Sequence, residues 1–323
     1  MKSYVRKTYG GPEVLELTEL STPVPKPNEV LIQIKSASIN PADWRILRAD
    51  PFLIRAGHGL LKPKFSHLGS DVSGIVVSLG TSATKWKVGD EVVSDIMGSG
   101  MGAYGEYVAV PEDILVRKPS NVSFDEAAAV PIAGLTAYQG LLKYGKLEKG
   151  QNVLINGASG GVGTYAVQIA KHIGANVTAI CSAKNEEFVL ALGADKVIAY
   201  DKEDYRITTT QFDLIMDNVG NCSVKDAKSM LKPKGIALLV GWGGFGHMLR
   251  FMSQGAIASK TSGRTFMGIA AKLDTADLEA LMELLSSQAI RSVIDKSFPM
   301  DDLTKAIILQ EKGRTKGKIV VHN

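Results

Sequence analysis

Cysteine is scarce. The 323 residues hold two, Cys181 and Cys222, too few for a disulfide framework or a four-thiolate metal lobe and in keeping with a reducing compartment. Long apolar runs are missing too. The opening stretch "MKSYVRKTYGGPEVLELTEL" has no segment that would serve a secretory signal, and the most apolar later run, "GIALLVGWGG", is too short to span a bilayer and ends in glycines. No integral membrane segment is expected, and the expected location is cytoplasmic. Neither sign of charge dominates. Lysine and arginine number 37 against 33 aspartates and glutamates, a net +4; this suits an anionic ligand but falls far short of a nucleic-acid binder's basic excess. The histidines are His58, His67, His172, His247 and His322, none at ligand spacing, so no metal site is expected. What remains, 45% apolar and 22% charged, is ordinary for a globular protein, and the length suggests two domains.

The first third reads as short strands. "EVLIQIKSASI" alternates after the proline-marked "PVPKPNE", and "SDVSGIVVSLG", "VGDEVVSDI" and "GEYVAVPEDILVRKP" follow between Gly-Asp and Pro-Glu-Asp punctuation, a barrel-like texture. Near residue 120 the pattern changes. "SFDEAAAVPIAGLTAYQGLLKYG" opens with a capping box, Ser123 to Glu126, and predicts a continuing helix. Six strands then alternate with helices over 121–270: "QNVLING", "NVTAICS", "KVIAYD", "FDLIMDNVG", "GIALLVGW" and "RTFMGI". The fold class expected is α/β, a doubly wound parallel sheet of Rossmann type beside a β-rich domain. A helix, a strand, a helix and a last strand, "GKIVVHN", are expected to return to the first domain, giving 1–120 with 271–323 and 121–270.

"NGASGGVGTYAVQIAK" joins the first of those six strands to its helix. The spacing is Ala158-x-Gly160-x-x-Gly163, with alanine where the first glycine of a dinucleotide-binding turn usually stands. Gly160 would let backbone approach a pyrophosphate, Gly163 would let helix pack on strand, and Gly161 and Val162 would open the helix, whose N-terminus carries free N–H groups and partial positive charge. A tight βα turn with no ligand is the alternative. The end of the second strand selects the nucleotide. An NAD site usually has a carboxylate there. Here the residues are "ICSAKN", with Ser182 and Lys184 as donors and no acid before Glu186; Tyr200, ending the third strand, can close the same pocket. The expected cofactor is NADPH. Asn218 and Gly241, at the ends of the fourth and fifth strands, complete the expected cofactor set.

The order of parts resembles the medium-chain dehydrogenase/reductase superfamily, and "SINPADW", "GSDVSGIV", "VGDEVV", "GLTAYQGL", "ASGGVG" and "GKIVV" resemble its zinc-free quinone oxidoreductase branch and related enone reductases. The resemblance implies a GroES-like catalytic domain, NADPH, and a small hydrophobic carbonyl or quinone as substrate. The superfamily's zinc alcohol dehydrogenases carry Cys where Asn40 stands and His-Glu where Ser70-Asp71 stand, so two ligand types are missing. Without a Lewis acid, a conjugated acceptor is the easier substrate: hydride adds at the β-carbon and charge moves to the carbonyl oxygen. The resemblance places Asn40 and Thr136 beside the nicotinamide. Asp43 has two readings, catalytic or holding its loop by backbone hydrogen bonds. Arg45 stands where related enone reductases have Lys and other quinone oxidoreductases Tyr; it is expected to clamp a developing oxyanion, or else to pair with a surface carboxylate. Residues 241–260, with Met248, Phe251, Met252 and Ile257, form either an apolar lid or a packed domain or dimer interface, and a homodimer is compatible with the second. An NADPH-binding redox sensor or peripheral partner protein that does not turn over is the competing function.

Overall fold

A computed structural model describes residues 1–241 and 243–323; Trp242, the last residue of the predicted strand "GIALLVGW", lies outside the described residues. In chain order the strands are β1 (Lys2–Val5), β2 (Glu16–Glu19), β3 (Glu29–Ile39), β4 (Asp71–Leu79), β5 (Glu91–Asp95), β6 (Tyr107–Pro111), β7 (Val116–Arg117), β8 (Asn152–Asn156), β9 (Asn176–Cys181), β10 (Lys196–Ala199), β11 (Phe212–Asp217), β12 (Leu231–Leu239), β13 (Thr265–Gly268), β14 (Ile294–Pro299) and β15 (Lys318–His322). The helices are α1 (Pro41–Arg48), α2 (Arg55–His58), α3 (Phe124–Ala128), α4 (Pro131–Tyr138), α5 (Gly161–Ile173), α6 (Glu186–Ala191), α7 (Val224–Met230), α8 (Phe245–Ser262), α9 (Thr275–Ser286) and α10 (Leu303–Glu311). The chain divides into two compact units, 1–133 with 273–323, and 134–272.

In the first unit a seven-stranded sheet runs β14-β15-β3-β4-β5-β7, with β6 also pairing β3. The alternation of β3 sends Val30, Ile32 and Ile34 into a core completed by Val76, Leu303, Ile307 and Ile319. The C-terminal strand β15 lies antiparallel to β3, with Ile319 opposite Ile39. This unit continues to Ala133, beyond the composition change at 120, because α3 is tied to it: Ser73 Oγ donates to the Phe124 carbonyl and Ser292 Oγ to that of Glu126, both at 2.7 Å.

The second unit holds a six-stranded parallel sheet in the order β10-β9-β8-β11-β12-β13, the doubly wound Rossmann order with its switch point between β8 and β11. Leu154, Ile180, Ile215 and Ala237 line its core. The capping box is formed, Ser123 Oγ accepting the Glu126 N–H at 3.2 Å and the Glu126 carboxylate accepting the Ser123 N–H at 2.9 Å. The single helix expected to follow is broken. It stops at Ala128 and α4 begins at Pro131, whose ring supplies no N–H to continue a helix. Beyond α4 the turns widen to π geometry over Gln139–Tyr144, where the Gly145 N–H reaches the Gly140 carbonyl at 2.8 Å. Residues 245–262 are one helix, α8. Phe251 is buried edge-on to Phe266, centroids 6.5 Å apart, and Met248 joins the same core, so packing accounts for both, whereas Met252 and Ile257 stay exposed.

Candidate functional site

Within the second unit, the turn between β8 and α5 has two glycines doing different work. A Cβ on Gly163 would sit 2.2 Å from the Gly157 carbonyl oxygen and 2.7 Å from Ala158 backbone, so only glycine permits this helix–strand approach. Gly160 has ordinary extended backbone, φ −84° and ψ 178°, and its Cβ would meet nothing closer than the Gly157 oxygen at 3.5 Å. The space over Gly160 is open. No side chain caps α5, leaving Gly161, Val162 and Gly163 to present its positive end. Ala158 is buried and its N–H donates to the Ile180 carbonyl at 3.0 Å, which holds the turn against β9.

Two amides flank this turn with one half of each unused. Asn218 donates to the Asn156 carbonyl at 3.0 Å, and Asn185 to Ser159 Oγ at 3.1 Å. The Oδ1 of each is buried without a partner, and a buried acceptor left unmade costs about 1–3 kcal/mol. A ligand bearing N–H or O–H groups would satisfy both. Asn218 is held by the loop that Asp217 organises, its carboxylate accepting the N–H groups of Val219, Gly220, Asn221 and Cys222 at 2.8–3.1 Å. Gly241 adjoins it: a Cβ there would stand 2.1 Å from the Asn218 carbonyl oxygen. Burial pushes the thiols of Cys181 and Cys222 up to about 11 and about 12, so neither is a ready nucleophile.

At the far edge of the turn, Tyr200 donates its N–H to the Cys181 carbonyl at 3.0 Å, which sets it beside Ser182. Ser182 is buried, whereas Lys184 and Tyr200 are exposed. The structure therefore brings Ser182 and Tyr200 together, with Lys184 two residues past Ser182. Sequence reasoning missed Asp201, whose carboxylate accepts the Ala183 N–H at 2.8 Å, and Asn185, one residue past the expected lysine. Thr136 is buried within α4.

The first unit contains a buried polar cluster. Asn40 follows β3 and caps α1: its N–H donates to Asp43 Oδ2 at 2.7 Å, closing a capping box. Its side-chain nitrogen donates to Asp71 Oδ2 at 2.8 Å, and its Oδ1 accepts from Lys318 Nζ. Asp71 also accepts from Ser38 Oγ at 2.6 Å, from the Ile132 N–H at 3.0 Å and from Lys318 Nζ at 3.4 Å. Asn40, Asp43, Ser70, Asp71 and Lys318 are all buried. Desolvation pushes the Asp43 carboxyl up to about 7, assisted by the Asp71 charge and opposed by the Asn40 N–H. Asp95, in the same cluster, is raised to about 7 by burial and then by Asp71. Burial lowers Lys318. The hydroxyl of Tyr104 is buried beside Asp43 without hydrogen-bond geometry to it. Asp43 thus takes the loop-holding role, and the Asn40 side chain is committed to Asp71 and Lys318. Lys318 was read only as part of a strand; nothing in the sequence sets it apart from Lys316 and Arg314 just before it. Arg45 lies one turn along α1, half-buried, its guanidinium 4.7 Å from the Trp44 ring centroid. His67 lies apart from this carboxylate cluster, its Nδ1 3.4 Å from Ser3 Oγ.

These two constellations, a nucleotide turn on a doubly wound sheet and a polar cluster in a β-rich unit, define a dehydrogenase/reductase architecture, and comparison with known proteins gives the family. Residues 26–120 match the alcohol dehydrogenase GroES-like domain and residues 192–321 a zinc-binding dehydrogenase domain. The chloroplast envelope quinone oxidoreductase homolog of Arabidopsis thaliana is 33% identical over 97% of this chain and 95% of its own length. The 2-methylene-furan-3-one reductase of Solanum lycopersicum is 33% identical over 100% of this chain and 79% of its own. The quinone oxidoreductase structure from Coxiella burnetii superposes with a TM-score of 0.89 at 31% identity, covering 100% of this chain and 99% of that one. The chain belongs to the medium-chain dehydrogenase/reductase superfamily, in its quinone oxidoreductase branch.

Proposed function

We propose that this protein is an NADPH-dependent reductase of quinones and of the C=C bond of α,β-unsaturated carbonyls, and that it works without zinc. The observation that carries the reading is the turn at Gly160, open above the glycine and flanked by the two unpaired acceptors of Asn185 and Asn218. In this reading Gly161, Val162 and Gly163 hold the pyrophosphate at the α5 N-terminus, with Ala158 and Gly160 clearing its path. Ser182, Lys184 and Tyr200 hold the 2′-phosphate. Thr136, Asn218 and Gly241 border the nicotinamide half. The bound nicotinamide supplies the hydride. Arg45 stabilises negative charge on the acceptor oxygen as a fixed cation. Its guanidinium does not give up a proton, so water supplies that proton. Asn40, with its side chain committed, acts by fixing the start of α1 and so the place of Arg45.

Two observations support zinc independence. Among the described residues no group of three or more His, Cys, Asp or Glu is placed to hold a metal. The ammonium of Lys318 is bonded to Asn40 and Asp71, two of the positions at which the superfamily's zinc enzymes carry metal-site residues, and a fixed cation there disfavours a second. The reducing cytoplasm is the setting we propose, where two buried free thiols persist. The test is NADPH oxidation with 9,10-phenanthrenequinone and a set of short enones, in Gly160→Ala and Arg45→Met beside the unchanged protein. Gly160→Ala should fold normally and bind NADPH at least tenfold more weakly, because its methyl fills the cradle. Arg45→Met should bind NADPH normally and lose on the order of a hundredfold in kcat. No turnover of any acceptor by the unchanged protein, with NADPH bound, overturns the reductase reading.

A further inference from the structure

Between α1 and β4 the chain makes a projection from the short turn Phe52–Ile54, α2, and the loop that follows to Phe65. Its base is pinned. The Tyr9 hydroxyl lies 2.7 Å from the carbonyl oxygens of both His58 and Gly59, and the Lys64 N–H donates to the His58 carbonyl at 2.7 Å. A segment so held has no need to leave large apolar groups outside, yet Phe52 is 65% exposed, Leu53 62%, Leu60 63% and Leu61 91%. Single exposed apolar residues are normal; four within ten residues make a patch that marks an interaction site.

The charge carried by the segment itself is of one sign. Residues 51–70 contain no Asp or Glu but include Arg55, Lys62 and Lys64. The nearest acid in sequence is Asp50. Arg55 ties cation to apolar tips: its guanidinium lies 4.8 Å from the Phe52 ring centroid and 4.6 Å from that of Tyr9, Nη1 donates to the Leu60 carbonyl at 3.4 Å, and Nε is buried without a partner. A second guanidinium, that of Arg6, is buried 5.1 Å from the same Tyr9 ring; it donates to the Ile46 carbonyl at 2.6 Å and its Nε and Nη2 have no partner. Two guanidiniums meet on one ring, and neither is bonded to a carboxylate.

We propose that this projection docks the protein on an anionic lipid bilayer, with Phe52, Leu53, Leu60 and Leu61 entering the headgroup–acyl boundary and Arg55, Lys62 and Lys64 lying against the phosphates. Apolar insertion and electrostatic attraction add in such a surface, and neither suffices alone. Charge complementarity selects this occupant. A second copy of the same patch would bring cation against cation, and a neutral apolar partner would leave the lysines uncompensated. The inference is independent of the reductase reading.

The test is cosedimentation of the full chain, without turnover, with vesicles of pure phosphatidylcholine and of a 7:3 mixture with phosphatidylserine, at low and high salt. Binding is expected to the mixed vesicles and to be lost at high salt. Each lysine near an anionic surface contributes about fivefold, so Lys62→Gln with Lys64→Gln should weaken binding roughly 25-fold. Leu60→Ser with Leu61→Ser should weaken it at least tenfold; both side chains are exposed, so unchanged thermal unfolding is the control for folding. The proposal is overturned if the unchanged protein ignores mixed vesicles, or if both double variants bind them equally well. It is also overturned if the leucine variant converts a dimer to a monomer, or alters KM for a water-soluble acceptor, while vesicle binding stays as it was.

Discussion

Replacing Lys318 by methionine keeps most of the side chain's volume and removes one charge from a cluster that holds Asp43, Asp71 and Asp95. Asp71 would keep the Ser38, Asn40 and Ile132 donors but lose the ammonium 3.4 Å away, and Asn40 Oδ1 would lose its donor. Breaking a buried ion pair by removing one partner costs about 3–5 kcal/mol, because the remaining charge stays desolvated. Near the unfolding midpoint 1 kcal/mol moves Tm by roughly 2–4 °C for a unit of this size, so a fall of roughly 6–20 °C is expected. Calorimetry suits the measurement, since two units need not melt together. The discriminating variant is the pair Lys318→Met with Asp71→Asn. Neutralising the stranded carboxylate should recover at least half of the loss, whereas two independent defects would add. If Lys318→Met melts within 2 °C of the unchanged protein, or if the double variant is worse than either single one, then Lys318 does not compensate Asp71 and the cluster is held by its hydrogen bonds alone.

Other expectations concern the same two constellations. Lys184→Ala should weaken NADPH binding roughly ten- to a hundredfold, the worth of a charge-assisted hydrogen bond of about 1.5–3 kcal/mol, and leave NADH binding unchanged; fluorescence titration with both nucleotides decides, and equal affinity of the unchanged protein for both refutes the phosphate pocket. Gly163→Ala should destabilise the second unit by about 1–3 kcal/mol, since its methyl would meet backbone and not a yielding side chain; urea unfolding reads this, and a normal midpoint contradicts the close approach. Asp43 and Asp95 have folded pKa values near 7, above their unfolded values near 4. The folded state therefore binds more protons between about pH 4 and 7, so this part of the stability is present at the acid end, falls as pH rises through 7, and levels off above it. Asp43→Asn should flatten that slope in denaturant midpoints taken from pH 5 to 8, and an unchanged slope would assign it elsewhere.

The parallel sheet was legible because most of its strands are apolar runs followed by a helical period, with a glycine turn marking the first crossover; β10 is the exception, joined to β11 without an α-helix. The broken helix after Ser123 was legible in principle, since Pro131 stands in the middle of "AAAVPIAG", but the apolar period running through the proline masked the break. The close approach in the turn between β8 and α5 was legible because its constraint is local: Gly163 is needed by backbone six residues before it. Asp201 and Asn185 were missed for the opposite reason. Their relevance depends on how the ends of β8, β9 and β10 meet, which spacing along one strand does not reveal. Lys318 is the extreme case. Its partners Asn40 and Asp71 lie 278 and 247 residues away, and nothing in the strand that carries it announces an ion pair. For residues 241–260 the sequence offered a lid or a domain or dimer interface, and Phe251 does neither: it packs on Phe266 of the neighbouring strand, inside the core of the second unit.

The arrangement of β15 beside β3 also bears on the order in which the protein can be finished during synthesis. Residues 134–272 are contiguous and can close their sheet as soon as they emerge. The first unit cannot. After β7 the Ser36–Ile39 end of β3, beyond the part that β6 covers, must wait for about 200 further residues, roughly 10–40 s at ordinary elongation rates, until β15 arrives. Throughout that interval Asp71 has no ammonium beside it and the open edge of β3 is available to any passing strand. A chain stalled or terminated after residue 272 would therefore carry a completed parallel sheet attached to an unfinished one, a form prone to aggregate and a natural client for chaperones.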